Sequence, residues 1–456
     1  MINTTNPFTE VIEARFEAHT AEQVEQLLEG AAQAQRQWAK TPLSARLPLL
    51  HRVAVVLREN KAAYARLITM EMGKPIVEAE GEIEKCAVTC EFYAENAPRF
   101  LSDMTVESNA TESSVVFDPL GIVLAVMPWN YPFWQFVRFA APALAAGNGA
   151  LLKHANNVPQ CALALQDAFV KAGAPEGLVT TLLVEASEVA GLIADRRVAA
   201  VTLTGSTAVG KIVAAQAGAV MKKQVLELGG SDPFIVLADA DIDEAAKVAA
   251  KARFTNTGQS CICAKRFLVE ESVADRFVEA LCAHAAELKI GDPMQRDTSV
   301  GPMARGNLRD ELHSQVQRTI AAGAKLLIGG APVEGPGYFY PPTVMDHVTP
   351  DMAAAKEETF GPAAAVIRVK DADEAVRLAN VTEFGLGAAL WTRDLERAKS
   401  LARRIEAGAV FINGLVASDA RLPFGGIKQS GYGRELGEFG IREFTNIKTV
   451  WIGPAR

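Results

Sequence analysis

Residues 121–153, GIVLAVMPWNYPFWQFVRFAAPALAAGNGALLK, decide the fold class of this chain. The run 121–127 is continuously apolar, a longer apolar segment covers 133–146, and a second short apolar run begins at residue 149. Short apolar strands that are joined by helices are typical of a parallel sheet with helices on both faces. The stretch therefore predicts a strand, a helix and a second strand of an α/β domain.

The same alternation of strands and helices extends over most of the chain. Helices are predicted first, at 20–40, 44–60, 62–71 and 76–96. Further strands of the first sheet are predicted at 179–184, 199–204 and 224–228, and a second strand–helix series runs from 234 to 413. Sheets of this kind bind ligands outside the carboxyl ends of their strands. Polar residues at those ends are therefore the first candidates for a functional site.

The composition is that of a globular protein. The chain has 456 residues, of which 49% are apolar and 22% are charged, so we expect two or three domains. The net charge of −8 argues against a nucleic-acid partner, because no basic surface would neutralise phosphates.

The first residues lack a secretory signal. The most apolar run, 136–152, is interrupted by Arg138 and Pro142, which argues against a membrane span. We expect a cytoplasmic protein.

The cysteines and histidines show no framework of disulfides and no metal-ligand spacing. Six cysteines in so long a chain, and six scattered histidines, predict mostly buried thiols and no metal site. The pair Cys261 and Cys263 is an exception in its spacing. We hypothesise that the two form a reversible disulfide. The alternative is that Cys263 is a small core residue, which is the common role of a buried cysteine.

Three polar groups lie at strand ends or in loops. Cys261 follows a Gly-Gln-Ser turn within residues 254–266, FTNTGQSCICAKR. Glu227 ends an apolar strand and precedes two glycines in LELGGSDP, and Asn130 follows the strand 121–127 in MPWNYP. A thiol, a carboxylate and an amide form a plausible set for covalent catalysis. Taken singly, a buried inert cysteine, a salt-bridged glutamate and a turn asparagine are the commoner interpretations.

Seven motifs taken together resemble the aldehyde dehydrogenase superfamily over nearly the whole chain. They are, in chain order, MPWNYP, the Lys153 segment LLKHA, TGSTAVG at 204–210, LELGG at 226–230, GQSC at 258–261, EETFGP at 357–362 and PFGGIKQSGYGRE at 423–435. Their variants resemble most the bacterial NAD(P)-dependent succinate-semialdehyde dehydrogenase branch.

The resemblance implies an α/β fold with a Rossmann-like cofactor domain, an α/β catalytic domain and a small β oligomerisation element. The implied boundaries are 1–107 and 126–228 for the cofactor domain, 229–422 for the catalytic domain, 108–125 and 440–456 for the oligomerisation strands, and 423–439 for a segment that returns to the active site. It also implies a homodimer or a homotetramer, with the last strand and residues 113–118 in a sheet shared across subunits.

The resemblance implies a role for each of the three polar groups. Cys261 would attack an aldehyde carbonyl to give a thiohemiacetal. Asn130 and the backbone N–H of Cys261 would stabilise the oxyanion. Glu227 would activate the water that hydrolyses the later thioester. The expected reaction is oxidation of a short aldehyde, succinate semialdehyde above others, to its acid. Alternatives are a general short-chain or other semialdehyde dehydrogenase, an enzyme that passes the acyl group to coenzyme A, and an inactive scaffold.

The expected cofactor is NAD, with NADP possible, although the chain has no GxGxxG motif. The turn 205–210 joins a strand to a helix, and such a helix N-terminus can hold a pyrophosphate. An acid three residues after the lysine repels a 2′-phosphate in the family; Asn156 stands there and lacks that charge. We therefore expect a preference for NAD that is not strong. The predicted cofactor residues are Trp129, Lys153, Asn156, Gly205, Ser206, Leu228, Glu358 and Phe360.

The predicted substrate residues are Arg138, Ser418 and Arg421, because a carboxylate on the aldehyde would require such an arginine. The alternative for Arg138 is a structural ion pair. One position departs from the branch: some of its members carry an arginine where this chain has Thr255. The resemblance therefore implies a weaker or differently built carboxylate site.

Overall fold

The structure, a computed structural model, describes residues 1–454 and contains four sheets. Residues 455 and 456, the end of the predicted oligomerisation segment, lie outside the described part. The strands are β1 Ile2–Thr5, β2 Ile12–Phe16, β3 Met104–Thr105, β4 Glu112–Pro119, β5 Ile122–Met127, β6 Gly149–His154, β7 Val179–Thr181, β8 Val198–Thr204, β9 Lys223–Glu227, β10 Asp232–Val236, β11 Ala264–Glu270, β12 Lys325–Ile328, β13 Thr343–Asp346, β14 Ala363–Val369, β15 Gly387–Trp391, β16 Ala409–Ile412, β17 Gly431–Tyr432 and β18 Thr445–Ile452.

Helices cover both faces of the two large sheets. The α-helices are α1 Ala21–Lys40, α2 Leu43–Glu59, α3 Lys61–Met72, α4 Ile76–Phe100, α5 Trp134–Ala145, α6 Pro159–Lys171, α7 Val189–Ala194, α8 Thr207–Ala219, α9 Ile242–Phe254, α10 Glu271–Ala286, α11 Gly306–Ala321, α12 Ala353–Lys356, α13 Ala372–Asn380, α14 Leu395–Ala402 and α15 Gly437–Glu443. Among residues 1–454, none of these helices is both long and apolar enough to cross a membrane.

The first large sheet has six strands in the order β17-β9-β8-β5-β6-β7. β9 to β7 are parallel neighbours, as the sequence predicts, and only β17 runs antiparallel, with Gly431 opposite Glu227. The carboxyl ends of β5, β6, β8 and β9 lie along one edge. Asn130, Lys153, Gly205 and Glu227 are therefore at the same edge of this sheet.

The second large sheet has seven strands in the order β12-β13-β14-β11-β10-β15-β16. All neighbours are parallel except β12 and β13. Cys261 lies in the loop between α9 and β11, so it belongs to this sheet, whereas Glu227 ends a strand of the first. The functional groups therefore meet between the two sheets, as the sequence predicts.

A buried ion pair sets the start of α5, the helix that follows Asn130. Lys74 and Glu82 are paired with almost no exposure. Glu82 Oε1 also accepts the backbone N–H groups of Phe133 and Trp134 at 2.9 and 3.0 Å. A carboxylate on the free N–H groups of a helix N-terminus satisfies them and opposes the helix dipole. The pair therefore fixes the direction in which α5 presents its side chains.

The structure differs from the sequence predictions in several places, of which three bear on the domain organisation. Residues 1–8, predicted as loop or edge, form the hairpin β1–β2 with 12–16. β18 pairs with β4 inside the same chain, with Thr445 opposite Pro119, so this pairing needs no second subunit. β5 begins at Ile122, so the boundary predicted at residue 126 would cut a strand of the first sheet. The other domain boundaries stay predictions.

Candidate active site

The loop before Cys261 has an unusual backbone. Asn256 and Thr257 both have φ of 55°, and Gly258 follows with φ of 69°. Left-handed conformation costs about 1–3 kcal/mol for a residue with a Cβ, most of all for a β-branched one. Three such residues in succession reverse the chain sharply between α9 and β11. The reversal brings Cys261 to the edge of the sheet.

Side-chain hydrogen bonds compensate this strain. Asn256 Nδ2 donates to the carbonyls of Asn130 and Gln259 at 2.9 and 3.1 Å. Thr257 Oγ1 donates to the carbonyl of Gly301 at 3.2 Å. These hydrogen bonds stabilise the left-handed conformation of both residues. A conformation that is strained and fixed in this way is typical of a functional loop.

Lys265 holds the part of the loop from Ser260 to Cys263. Its side chain is fully buried, and Nζ donates to the carbonyls of Ser260, Cys261 and Cys263 at 3.0, 2.8 and 3.4 Å. A buried ammonium needs such partners, since its desolvation is costly. With these three carbonyls engaged, the loop presents the side chain of Cys261 and not its backbone oxygen.

Cys261 is partly exposed, at the junction of two cavities. Burial raises the pKa of its thiol to about 12, and the positive charges of Arg138 and Lys265 oppose that rise. At neutral pH the thiol of the ligand-free protein is therefore protonated, and a base or a further positive charge must favour the thiolate. Cys263 is buried, with only 4% of its surface exposed, and its Sγ lies 3.9 Å from the carbonyl oxygen of Thr255. Both thiols are free, and the reversible disulfide stays a prediction.

Three cavities lie in the region of this thiol, and Cys261 itself lines two of them. Cavity A, of about 510 Å³, extends from Cys261 across Trp129 to Glu358. Cavity B, of about 710 Å³, continues from Trp129 and Gly205 past Lys153. Cavity C, of only about 190 Å³, lies on the other side of Cys261. The first two are of the size that holds a large ligand, and the third suits a small one.

All the predicted cofactor residues line cavity A or cavity B. Trp129 and Phe360 meet edge to face with ring centroids 5.7 Å apart, and they form one wall of cavity A. Ser206 is the N-cap of α8 and accepts the N–H of Val209 at 3.4 Å, so the N-terminus of α8 faces cavities A and B. This arrangement of a helix N-terminus beside an elongated cleft fits a dinucleotide.

Lys153 belongs to a short polar chain in cavity B. Its Nζ donates to Asn156 Oδ1 at 2.8 Å, and Asn156 Nδ2 donates to Glu185 Oε2 at 2.7 Å. Burial lowers the pKa of Lys153, and the negative charge of Glu185 opposes that change. The sequence interpretation did not identify Glu185, because it lies 29 residues from Asn156 and follows no motif.

The chain matches the model of the Aldehyde dehydrogenase family over residues 1–450. The chain belongs to the aldehyde dehydrogenase family. It is 49% identical over 451 residues, 99% of each chain, to "Probable succinate-semialdehyde dehydrogenase [NADP(+)]" of Synechocystis. It is 50% identical over 431 residues to "Succinate semialdehyde dehydrogenase [NAD(P)+] Sad" of Escherichia coli, covering 94% of this chain and 93% of that one. The solved structure of succinic semialdehyde dehydrogenase from Streptococcus pyogenes with NADP+ superposes with a TM-score of 0.97, at 37% identity and full coverage of both chains.

In this aldehyde dehydrogenase, Asn130 is next to the thiol loop. Its side chain is buried and Nδ2 donates to the carbonyl of Gln259 at 3.0 Å. The residue also lines cavity A together with Cys261. The amide of Asn130 is thus held beside the space that a carbonyl substrate of Cys261 would occupy.

Glu227 is buried but lies outside both cavities that Cys261 lines. Among the described residues, neither of its carboxylate oxygens has a hydrogen-bond partner. Burial raises the pKa of Glu227 well above its usual range, and the negative charge of Glu435 adds to the rise. The raised pKa makes the ionised form of this carboxyl group a stronger base than an ordinary carboxylate. Because no partner occupies its oxygens, the ionised group can accept a proton.

The structure separates the predicted substrate residues. Arg138 and Ser418 both line cavity C. Arg138 also makes a buried ion pair with Glu435, and its guanidinium lies 4.7 Å from the ring of Phe424. The alternative interpretation of Arg138 as a structural ion pair therefore has direct support. Arg421 does not line cavity C; it is exposed and pairs with Asp419, so this conformation gives it no contact with a substrate there.

The sequence interpretation missed two cationic residues of cavity C, Lys85 on α4 and Lys251 on α9. Nothing in the sequence shows that α4 meets the loop before Ser418, since 333 residues separate Lys85 from Ser418. Lys265 and Glu435 were missed for the same reason. A lysine on an amphipathic helix normally predicts only a solvated face.

Proposed function

We propose that this protein oxidises succinate semialdehyde to succinate with NAD(P)+. One observation carries the proposal: the thiol of Cys261 lies where cavity A, which continues past Trp129 and Gly205 into cavity B, meets the small cationic cavity C. The names of its relatives from Synechocystis and Escherichia coli support the substrate. We infer that both NAD and NADP serve as cofactor, because Asn156 adds no charge against a 2′-phosphate and Lys153 lies beside it.

The proposed reaction begins at the thiol. Cys261 releases its proton to solvent water, and Sγ adds to the aldehyde carbon to form a thiohemiacetal. The negative charge that develops on the carbonyl oxygen is stabilised by Asn130 Nδ2 and the backbone N–H of Cys261. Bound NAD(P)+ would accept the hydride, and Cys261 would then carry a thioester.

The second half of the proposed reaction needs a base. Glu227 removes a proton from water, the hydroxide adds to the thioester, and the carboxylic acid leaves as Cys261 regains its proton. In the structure the Glu227 side chain lies outside the cavities of Cys261, so it must rotate to reach that water. Its raised pKa suits a group that must both accept and return a proton.

The residues of cavities A and B fit a dinucleotide by their chemistry. The N-terminus of α8 would hold the pyrophosphate, Lys153 and Asn156 the adenosine ribose, and Glu358 the nicotinamide ribose. Glu358 Oε1 accepts the N–H of Gly230 at 2.9 Å, and its second oxygen lies so close to Gly229 that a Cβ there would collide with it. The glycine therefore leaves room for this carboxylate in the wall of the cleft.

We infer a homodimer or a homotetramer. β18 is the edge strand of its sheet and carries exposed apolar side chains, among them Ile447, Trp451 and Ile452. A long apolar edge strand is normally covered by another chain. Light scattering after gel filtration tests this inference, and a monomer would contradict it. The cytoplasm stays the predicted location.

The enzymatic proposal is tested by steady-state kinetics with succinate semialdehyde and butanal, each with NAD and with NADP. We expect the highest kcat/KM for succinate semialdehyde and turnover with both cofactors. Product analysis with and without coenzyme A separates hydrolysis from acyl transfer: free succinate in both cases supports the proposal. A preference for butanal, or a dependence on coenzyme A, would refute it.

A further inference from the structure

Cavity C has an excess of positive charge. Three cationic residues line it, namely Lys85, Arg138 and Lys251, and its lining includes no aspartate or glutamate. A small cleft with this charge favours an anionic ligand, because cations of one sign line it and two of them are at least partly buried. The three cations differ, however, in how far the protein already neutralises them.

Arg138 is neutralised, whereas Lys85 is not. Arg138 is engaged in its buried pair with Glu435. Lys85 makes no ion pair within 4.0 Å among residues 1–454, although its side chain is partly buried. Lys251 is exposed, so water screens its charge. Lys85 is therefore the cation of cavity C that is partly sheltered from water and has no carboxylate within 4.0 Å among the described residues.

The ammonium group of Lys85 is already positioned. Nζ donates to Ser418 Oγ at 2.7 Å and lies 4.2 Å from the centre of the Trp134 ring. These contacts fix the end of a side chain that is otherwise flexible. An ammonium group has three donors, and the hydrogen bond to Ser418 uses one of them. Donors therefore remain for a ligand in the cavity.

We propose that Lys85 binds the distal carboxylate of the substrate and thereby selects aldehydes that carry one. This inference rests on the proposed function and names the residue that determines its specificity. Ser418 supports the same carboxylate through its hydroxyl group. Some members of the branch carry an arginine at the position of Thr255, which lines the same cavity. Thr255 has no charge, so Lys85 supplies the cation instead. The aldehyde end of the substrate then lies at Cys261, which lines the cavity as well.

The test compares Lys85→Met with the wild-type enzyme on succinate semialdehyde and on butanal, which has the same chain length and no charge. We expect kcat/KM for succinate semialdehyde to fall about 10- to 100-fold, the usual effect of losing a hydrogen bond to a charged group. We expect kcat/KM for butanal to change less than about threefold. Lys85→Arg should retain more of the preference. Lys251→Met is the matched control from the same cavity and should have a smaller effect, because its charge is exposed.

Lys85→Gln replaces Lys85→Met if that variant folds poorly, and restoring a charge elsewhere in the cavity gives a further test. Lys85→Met combined with Thr255→Arg brings a cation back into cavity C from another wall, and the preference for succinate semialdehyde should partly return. Equal losses on both substrates would assign Lys85 a structural role and overturn the inference. An unchanged preference in Lys85→Met would overturn it too.

The pH dependence gives a readout that a structural role would not change. Burial lowers the pKa of Lys85 to about 8, and the positive charge of Arg138 adds to this effect. The ratio of kcat/KM for succinate semialdehyde to that for butanal should fall as the pH rises through about 8, because Lys85 then loses its charge. Titrations of the enzyme that affect both substrates equally cancel in this ratio. The charged or titratable groups near Lys85 or in the same cavity are Glu82, Cys86, Tyr131, Arg138, Lys251, Cys261, Cys263 and Asp419.

Failure of the proposed function can be told apart from failure of this inference. A wild-type enzyme that does not prefer succinate semialdehyde to butanal refutes the proposed function. In that case inhibition by succinate still tests Lys85: the inhibition constant should rise at least about tenfold in Lys85→Met. An inhibition constant that does not change would overturn the inference on its own.

Discussion

Glu227 lies directly against Gly425: a Cβ at residue 425 would come within 2.7 Å of Glu227 Oε1. Residues 423–439, predicted to return to the active site, therefore cover the carboxylate of Glu227. The same segment supplies Glu435, which pairs with Arg138 and raises the pKa of Glu227. Glu227, Arg138 of cavity C and Glu435 of the C-terminal segment thus form one buried cluster of ionisable side chains.

Replacing the base should separate the two halves of the reaction. In Glu227→Gln the side chain keeps its size but cannot accept a proton, so the thioester should form and then persist. We expect a stopped-flow burst of reduced cofactor, followed by a steady state at least about 100-fold slower than in the wild-type enzyme. Absence of any first-turnover reduction would show that Glu227 has a structural role.

The pH dependence of thioester hydrolysis should follow Glu227. Its folded-state pKa is raised, so the group is neutral at low pH and becomes a base only as the pH rises above that pKa. The rate of acid release should therefore increase as the pH rises through the raised pKa of Glu227, and this increase should be absent in Glu227→Gln. Single-turnover measurements of product release check this; an identical pH profile in the variant would contradict it.

Removal of the Asn130 amide should affect the chemistry more than the fold. Asn130→Ala loses the Nδ2 donor, but the backbone carbonyl that accepts Asn256 remains. The loss of one oxyanion donor typically lowers kcat about 100- to 1,000-fold. The thermal midpoint should change little, and a large drop in that midpoint would instead indicate that the thiol loop had lost its support.

The buried pair of Arg138 and Glu435 should matter for stability. Glu435→Gln leaves Arg138 buried without an opposite charge, which typically costs about 3–5 kcal/mol. Glu438→Gln is the matched control, since Glu438 pairs with Arg442 at 40% exposure and such pairs contribute about 1 kcal/mol or less. Thermal unfolding of the two variants measures the difference, and equal midpoints would contradict it.

Cofactor choice should depend on the charge at residue 156. Asn156→Asp places an acid beside Glu185 and should raise KM for NADP about tenfold while leaving KM for NAD nearly unchanged. Asn157→Asp adds the same net charge in the same cavity and is the control. If both variants discriminate equally, the effect comes from net charge and not from position 156.

Most elements could be predicted from the sequence because apolar runs and helical periodicity are local signals. The strand 121–127 and the helix 133–146 are examples, and the structure places β5 and α5 within one residue of them. β13 and the hairpin β1–β2 were missed, because their pairing partners are distant or their sequences are not clearly apolar. The family resemblance, and not periodicity, identified the residues of cavities A and B.

The charges around cavity C could not be predicted in the same way. Arg138 and Ser418 were predicted as substrate residues, but Lys85 on α4 was not, because it is far from both in sequence and unremarkable in its own segment. Whether an arginine is free or paired depends on Glu435, which only the folded chain brings to it. Specificity in this protein is thus a property of tertiary packing.

The covalent intermediate on Cys261 is the central claim, and mass spectrometry of the trapped enzyme tests it most directly. Glu227→Gln is mixed with succinate semialdehyde and NADP, quenched in acid, digested and mapped. The account predicts a succinyl adduct on the peptide with Cys261, in amounts that match the burst of reduced cofactor. The adduct should persist in Cys263→Ala and disappear in Cys261→Ala. Full cofactor reduction without an adduct on Cys261, or an adduct on another residue, would contradict the account.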